Sequence, residues 1–265
     1  MAEAALHEHA DPLAADVYRA VLWHLREAGI PYLVGGTYAL EHHAGLVRST
    51  KDLDLFVRRA DWSRISDALA GAGIECELVF SHWLGKAHRN GLVVDMIFAG
   101  GNGLVEVDDD WFARGIPSFV VDVPVHLVTA EDMIWSKAFV MERERFDGAD
   151  VLHIIRRSGA TLDWNRLIEC FGSHAGVLLA HVILFRFVYP GLREVVPQRV
   201  VDDLWRRAAM PDEAPAHLCR GTLVSRGQYL IDVHEWGYLD ARELPTGRMT
   251  AQQIREWTAA IDRDG

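Results

Sequence analysis

The chain has 265 residues, half of them hydrophobic and nine of them tryptophan, which excludes a disordered polymer and allows one large or two modest domains. Twenty-seven Lys and Arg against 38 Asp and Glu give a formal net charge of −11. That balance excludes a broad duplex-DNA footprint, which depends on many Lys and Arg contacts to phosphate, while leaving room for a local basic patch that meets RNA. Three scattered cysteines, Cys76, Cys170 and Cys219, form no CxxC pair and point to neither a zinc knuckle nor a disulfide framework. The first sixteen residues have no basic region followed by an apolar core. The apolar run from Ala175 to Tyr189 is short and carries His181 and Arg186, so it reads as a buried helix and not a membrane span. The expectation is a cytoplasmic protein.

Apolar spacing predicts a helix over Asp11–Ala28, with Leu13, Val17, Val21, Leu22 and Leu25 on one face. A strand at Pro31–Val34, a glycine turn at Gly35-Gly36, a helix to about His43 and a strand at Asp52–Val57 follow. A further helix, Asp61–Ala72, starts at an expected Asp61 cap. Glu75–Phe80 and Gly91–Phe98 read as strands joined as a hairpin across His82–Asn90, and Pro117–Val128 as strand segments around Pro124. Thr129 to Asp132 has an N-cap pattern opening a helix from Met133 to Arg143. Beyond Ser158 the segments Asp163–Phe171, Ala175–Phe187 and Gln198–Ala208 are helical by spacing, and Pro211–Ala216 reads as a linker or long loop. The order implies an α+β domain over residues 1–158, with a small mixed sheet flanked by helices, and a mainly helical region over 159–265.

Asp52 and Asp54 stand two apart in an apolar setting, so in a strand both carboxylates project to the same face. Side by side they repel unless a cation lies between them, and a hard divalent ion suits their oxygen atoms. An isolated pair of this kind is also compatible with a turn cap and a solvated edge residue. Paired glycines at a strand-to-helix turn let backbone N–H groups approach a phosphate. Asp95 is a single charge in the apolar strand Leu92–Phe98, either paired with a buried Arg or Lys or lying beside the first two and sharing their cations. Three carboxylates around two magnesium ions suit phosphoryl or nucleotidyl transfer. Arg48, Ser49, Thr50 and Lys51 precede the pair: Thr50 can bond to the carboxylates and Arg48 to phosphate, or the segment is an ordinary loop. His42-His43 point in different directions and do not read as a metal site. Arg145, Asp147 and Asp150 read as an ion-paired structural step. Arg220, Arg226, Tyr229, His234, Trp236 and Tyr238 suit either an acceptor pocket or a packed loop.

Together Val34-Gly35-Gly36, Asp52-Leu53-Asp54-Leu55 and Asp95 resemble the polymerase-β nucleotidyltransferase superfamily. The words around RSTKDLDLFV are similar to its minimal bacterial branch, which holds antibiotic nucleotidyltransferases and abortive-infection toxin-type enzymes. Lys137, Arg145 and Asp147-Gly148-Ala149-Asp150 match a later step of that branch. The resemblance covers about residues 16–158. Fifteen residues between Gly36 and Asp52 slightly exceed the family pattern, and His42-His43-Ala44-Gly45 absorb the excess. The resemblance implies a polymerase-β-like fold and Mg²⁺-dependent transfer of a nucleoside monophosphate from a nucleoside triphosphate (NTP). Asp52, Asp54 and Asp95 would be catalytic and metal-binding, and Gly35, Gly36, Thr37, Arg48, Thr50 and Lys137 nucleotide-binding. The acceptor is expected to be a small molecule, with RNA or protein as the alternative of the toxin-like branch. A non-catalytic nucleotide- or partner-binding protein on the same scaffold is the third reading.

Overall fold

The computed structural model describes residues 12–48, 52–211 and 213–261. They fall into two compact units, Met1–Thr129 and Ala130–Gly265.

In the first unit α1 (Pro12–Glu27) leads into β1 (Leu33–Val34), α2 (Gly36–Ala44), β2 (Asp52–Phe56) and α3 (Trp62–Ala70). Strands β3 (Glu75–Phe80), β4 (Leu84–Arg89) and β5 (Leu92–Ile97), helix α4 (Asp109–Arg114) and strands β6 (Ile116–Val120) and β7 (Val123–Leu127) complete it. The seven strands form one mixed sheet in the order β3-β4-β5-β2-β1-β7-β6. The fold class is therefore α+β, as expected. β2 pairs antiparallel with β1 and parallel with β5.

Alternation along the strands sorts the residues between faces. Leu53, Leu55, Val94 and Met96 are fully buried on one face, as are Val21, Leu22 and Leu25 of α1 and Ile65 and Leu69 of α3. Trp62 at the start of α3 lies so close to Gly85 that a Cβ there would meet its ring at 2.3 Å. The opposite face carries Asp52, Asp54 and Asp95, and at the far end of β2 it is closed by Phe56 stacked on Trp111, 5.3 Å between ring centroids.

Several elements differ from the sequence expectation. β3 and β5 are not a hairpin: β4 lies between them and pairs antiparallel with both. The turn between β6 and β7 is at Val121-Asp122, both with positive φ (44° and 66°), and Pro124 lies within β7. That tight reversal is steadied by Arg19 of α1, whose Nε donates to the Val121 carbonyl at 3.1 Å. Asp61 does not cap α3 through its side chain; it ends a short 3-10 turn and meets Arg58 at 3.1 Å and Arg64 at 2.7 Å.

The second unit holds α5 (Ala130–Lys137), α6 (Gly148–Ser158), α7 (Trp164–Phe171), α8 (Ala175–Val188) and α9 (Gln198–Ala208). It continues with β8 (Leu218–Cys219), α10 (Leu230–His234), β9 (Leu239–Asp240) and α11 (Ala251–Ala259), β8 and β9 forming a two-stranded parallel sheet. α5 ends six residues before the expected Arg143, where Met141 donates its N–H to the Val224 carbonyl and pairs with Phe146. Trp164–Val188 spans 25 residues and is long and apolar enough to cross a membrane by length and composition, whereas the sequence reading considered only its second part. Gly172, at φ +48°, breaks this stretch, and Leu178, Val182 and Phe185 of α8 are fully buried within the unit. Arg242 is buried against Asp240, with Nη2 at 2.6 Å from Oδ2, and its guanidinium lies over the Trp257 ring.

Candidate active site

β2 enters the site through Asp52, exposed, and Asp54, half-buried, with the apolar Leu53 turned to the core between them. The parallel register sets Asp54 directly opposite Asp95 and Asp52 opposite Val93. The three carboxylates therefore share one face of adjacent strands, as the sequence spacing and the resemblance together imply.

Gly35 and Gly36 turn the chain from β1 into α2 immediately beside them. The Gly35 N–H donates to the Asp54 carbonyl at 2.9 Å, and Gly36 has φ +52°. A Cβ on Gly36 would meet Asp54 Oδ2 at 1.8 Å, and one on Gly35 would meet the Phe56 ring at 2.3 Å. Both positions need glycine, Gly36 for its backbone conformation as well as for space. α2 begins without a side-chain cap, so its first-turn amides retain their capacity to meet an anion. Thr37 is half-buried in that first turn. At the other end of α2, His43 bonds through Nε2 to the Val128 carbonyl at 2.7 Å, a tie between α2 and the end of β7.

Asp95 has a second neighbour. Lys86 on β4 pairs across from it, and its Nζ stands 3.3 Å from Asp95 Oδ1. Burial pushes the Asp95 carboxyl above its usual range; Lys86 draws it back and Asp52 adds to the rise. Of the two sequence alternatives for Asp95, the basic partner is present as Lys86, and the register also sets Asp95 beside the strand of Asp52 and Asp54. Tyr18 of α1 is fully buried and its hydroxyl has no hydrogen-bond partner among the described residues. Burial first, then Tyr38 and the charges of Asp52 and Asp54, push it up to about 12.

One observation fits a divalent cation at Asp52 and Asp54: Gly36 leaves Asp54 the space a methyl group would fill. The donor set is all oxygen, which suits magnesium. Among the described residues no three His, Cys, Asp or Glu side chains converge on one point, so the arrangement is an Asp52–Asp54 pair with Asp95 one strand over.

The remaining candidates are placed as follows. Arg48 is exposed ahead of β2, and Thr50 lies outside the described residues. Lys137 belongs to the second unit, where its Nζ lies 2.9 Å from Asp147 Oδ2 and 3.0 Å from Asp150 Oδ2. Arg145 completes that ionic step, donating from Nε and Nη2 to Asp147 at 2.9 and 3.0 Å. Burial raises the Asp147 carboxyl, but the Arg145 hydrogen bonds and the charge of Lys137 outweigh it and hold the group below its usual range. In the aromatic segment Arg226 pairs with Glu142 at 3.5 Å, and the Tyr229 ring packs under Gly221, while Trp236 is exposed. A depression of about 430 Å³ lined by Arg58, Arg59, Glu106 and Asp108–Asp110 is separate from the carboxylates, and Arg58 there is already paired with Asp61 and Asp109.

Residues 4–174 match the model of a family described as uncharacterised nucleotidyltransferases. The chain belongs to this family. No curated protein matches it. Among solved structures, the nucleotidyltransferase is similar to the antibiotic-resistance factor ANT(2'')-Ia, at 17% identity over 69% of this chain and 96% of that one, with a TM-score of 0.42. It is also similar to the lincomycin-bound lincosamide antibiotic adenylyltransferase LnuA, at 12% identity over 56% and 98%, TM-score 0.38. A third likeness is an antigenic nucleotidyltransferase-like protein from Paracoccidioides brasiliensis, at 16% identity over 71% and 93%, TM-score 0.42. At these TM-scores the assignment rests on the family match alone.

Proposed function

We propose that this nucleotidyltransferase moves a nucleoside monophosphate from an NTP to a hydroxyl of a small-molecule acceptor, with Mg²⁺ held by Asp52 and Asp54. The observation that carries the reading is the close approach of Gly36 to Asp54, which brings the glycine turn beside the carboxylate pair. The first-turn amides of α2, with Thr37, would receive the triphosphate. When bound, magnesium would neutralise phosphate charge and polarise the phosphoryl oxygens. The acceptor oxygen would attack the α-phosphorus in line, the bond to the pyrophosphate oxygen would break, and Asp95 would take the acceptor proton. Its burial supports that role, since a carboxylate in a poorly solvated place binds a proton more readily. A net charge of −11 favours a cationic small molecule over a polyanion as acceptor.

Incubation with each α-labelled NTP and Mg²⁺, beside a panel of amine-bearing small molecules and beside RNA, tests the reading. Label in a small product is expected, and Asp52→Ala should abolish it. Label in RNA would overturn the choice of acceptor, and transfer that survives Asp52→Ala would overturn the site.

A further inference from the structure

The open face of the sheet carries Glu77, Lys86, Asp95 and Asp54 side by side on β3, β4, β5 and β2, because each pairs with the next. Directly paired residues project to the same face, so Lys86 stands on the side of Asp95 away from Asp54. Its Nζ is 3.3 Å from Asp95 Oδ1, with the Lys86 side chain 31% exposed and that of Asp95 18% exposed. Among the described residues that oxygen makes no aligned hydrogen bond, and the Lys86 ammonium is its nearest charge compensation. A divalent ion on the same oxygen would come within contact range of the ammonium in a half-buried setting, where like charges repel strongly. The two cations exclude each other. The ammonium holds the advantage, since the β4 register tethers it beside Asp95 and magnesium gives up its hydration water reluctantly.

We propose that Lys86 is the cation that serves Asp95, so that the site takes a single divalent ion, at Asp52 and Asp54, and Lys86 positions Asp95 where a second ion would otherwise do so. The proposal rests on the reading of Asp52 and Asp54 as the cation site. It narrows the two-ion expectation to one ion and one tethered ammonium.

The test counts ions. The protein is mixed with one equivalent of the α,β-methylene analogue of whichever NTP binds most tightly in calorimetry, then titrated with Mn²⁺ and followed by electron paramagnetic resonance. The wild type is expected to hold one Mn²⁺ with the spectrum of an isolated ion. Lys86→Met should hold two, with the spin coupling of neighbouring ions, and adding Asp95→Asn should return the count to one. Lys86→Arg should keep one, since the positive charge remains. Two coupled ions in the wild type, one of them lost in Asp95→Asn, would overturn the proposal. So would a single ion in folded Lys86→Met. The wild-type count decides alone if Lys86→Met does not fold. A wild type that binds no Mn²⁺, or binds it equally after Asp54→Asn, overturns the underlying reading and the proposal with it. The two failures are therefore distinguishable.

Discussion

A methyl group on Gly36 would sit 1.8 Å from Asp54 Oδ2, at a residue with φ +52°. Gly36→Ala is therefore expected to cost about 1–2 kcal/mol of stability for the left-handed conformation. It should also cut transfer at least a hundredfold by moving Asp54; denaturant midpoints and turnover, measured together, check both. Tyr18 makes the opposite prediction: its hydroxyl is buried without a partner among the described residues, so Tyr18→Phe should raise stability by about 1 kcal/mol in thermal or denaturant unfolding. At this scale much of the site was legible. Period-two placement put Asp52 and Asp54 on one face, and the isolated charge in Leu92–Phe98 marked Asp95. Lys86 was missed although its signal was present. Asn90-Gly91 is a two-residue turn dipeptide, here with φ of 54° and 76°, and folding back from it sets Arg89 opposite Leu92 and Lys86 opposite Asp95.

The missing element was β4 itself. Leu84–Arg89 reads LGKAHR, with a glycine, an alanine and three basic groups where strand formers are expected, so composition pointed to a loop. Tertiary packing overrides it: Trp62 fills the space above Gly85, and cross-strand partners supply the hydrogen bonds. α5 was overextended for the reverse reason. Ile134, Ala138 and Met141 keep a helical apolar spacing, but Met141 is taken into pairing with Phe146, and the Arg145–Asp147 step closes the turn. Lys137→Met would leave the half-buried Asp147 and the buried Asp150 beside each other without their shared ammonium. A loss of about 2–4 kcal/mol is expected in urea unfolding. α8 carries a pH-dependent contribution. His181 donates from Nε2 to the Ala138 carbonyl at 2.9 Å, and burial lowers its proton affinity below the usual imidazole range. Above about pH 6.5 its contribution is fully present; below that the unfolded chain gains a proton the folded chain resists, and stability falls. His181→Gln keeps a donor without titrating, so it should flatten the melting-temperature profile between about pH 6.5 and 5.

For the molecule as a whole, the α+β class was readable from the alternation of elements, whereas the reach of the sheet to seven strands was not, because β4 was hidden by composition. The net charge of −11 bears on the acceptor, since an acidic surface repels polyanions beyond the local site. Beyond the Lys137–Asp150 step the second unit has no counterpart among the sequence motifs, which is why the carboxylate face is proposed residue by residue and the acceptor only by class. The central claim is that Asp52 and Asp54 hold the cation through which an NTP is bound. Isothermal calorimetry of a non-hydrolysable NTP with and without Mg²⁺, on the wild type and on Asp54→Asn, tests it most directly. The account predicts binding that requires Mg²⁺ and falls at least a hundredfold in Asp54→Asn while the variant remains folded. Binding that is indifferent to Mg²⁺, or unchanged by the substitution, would contradict it.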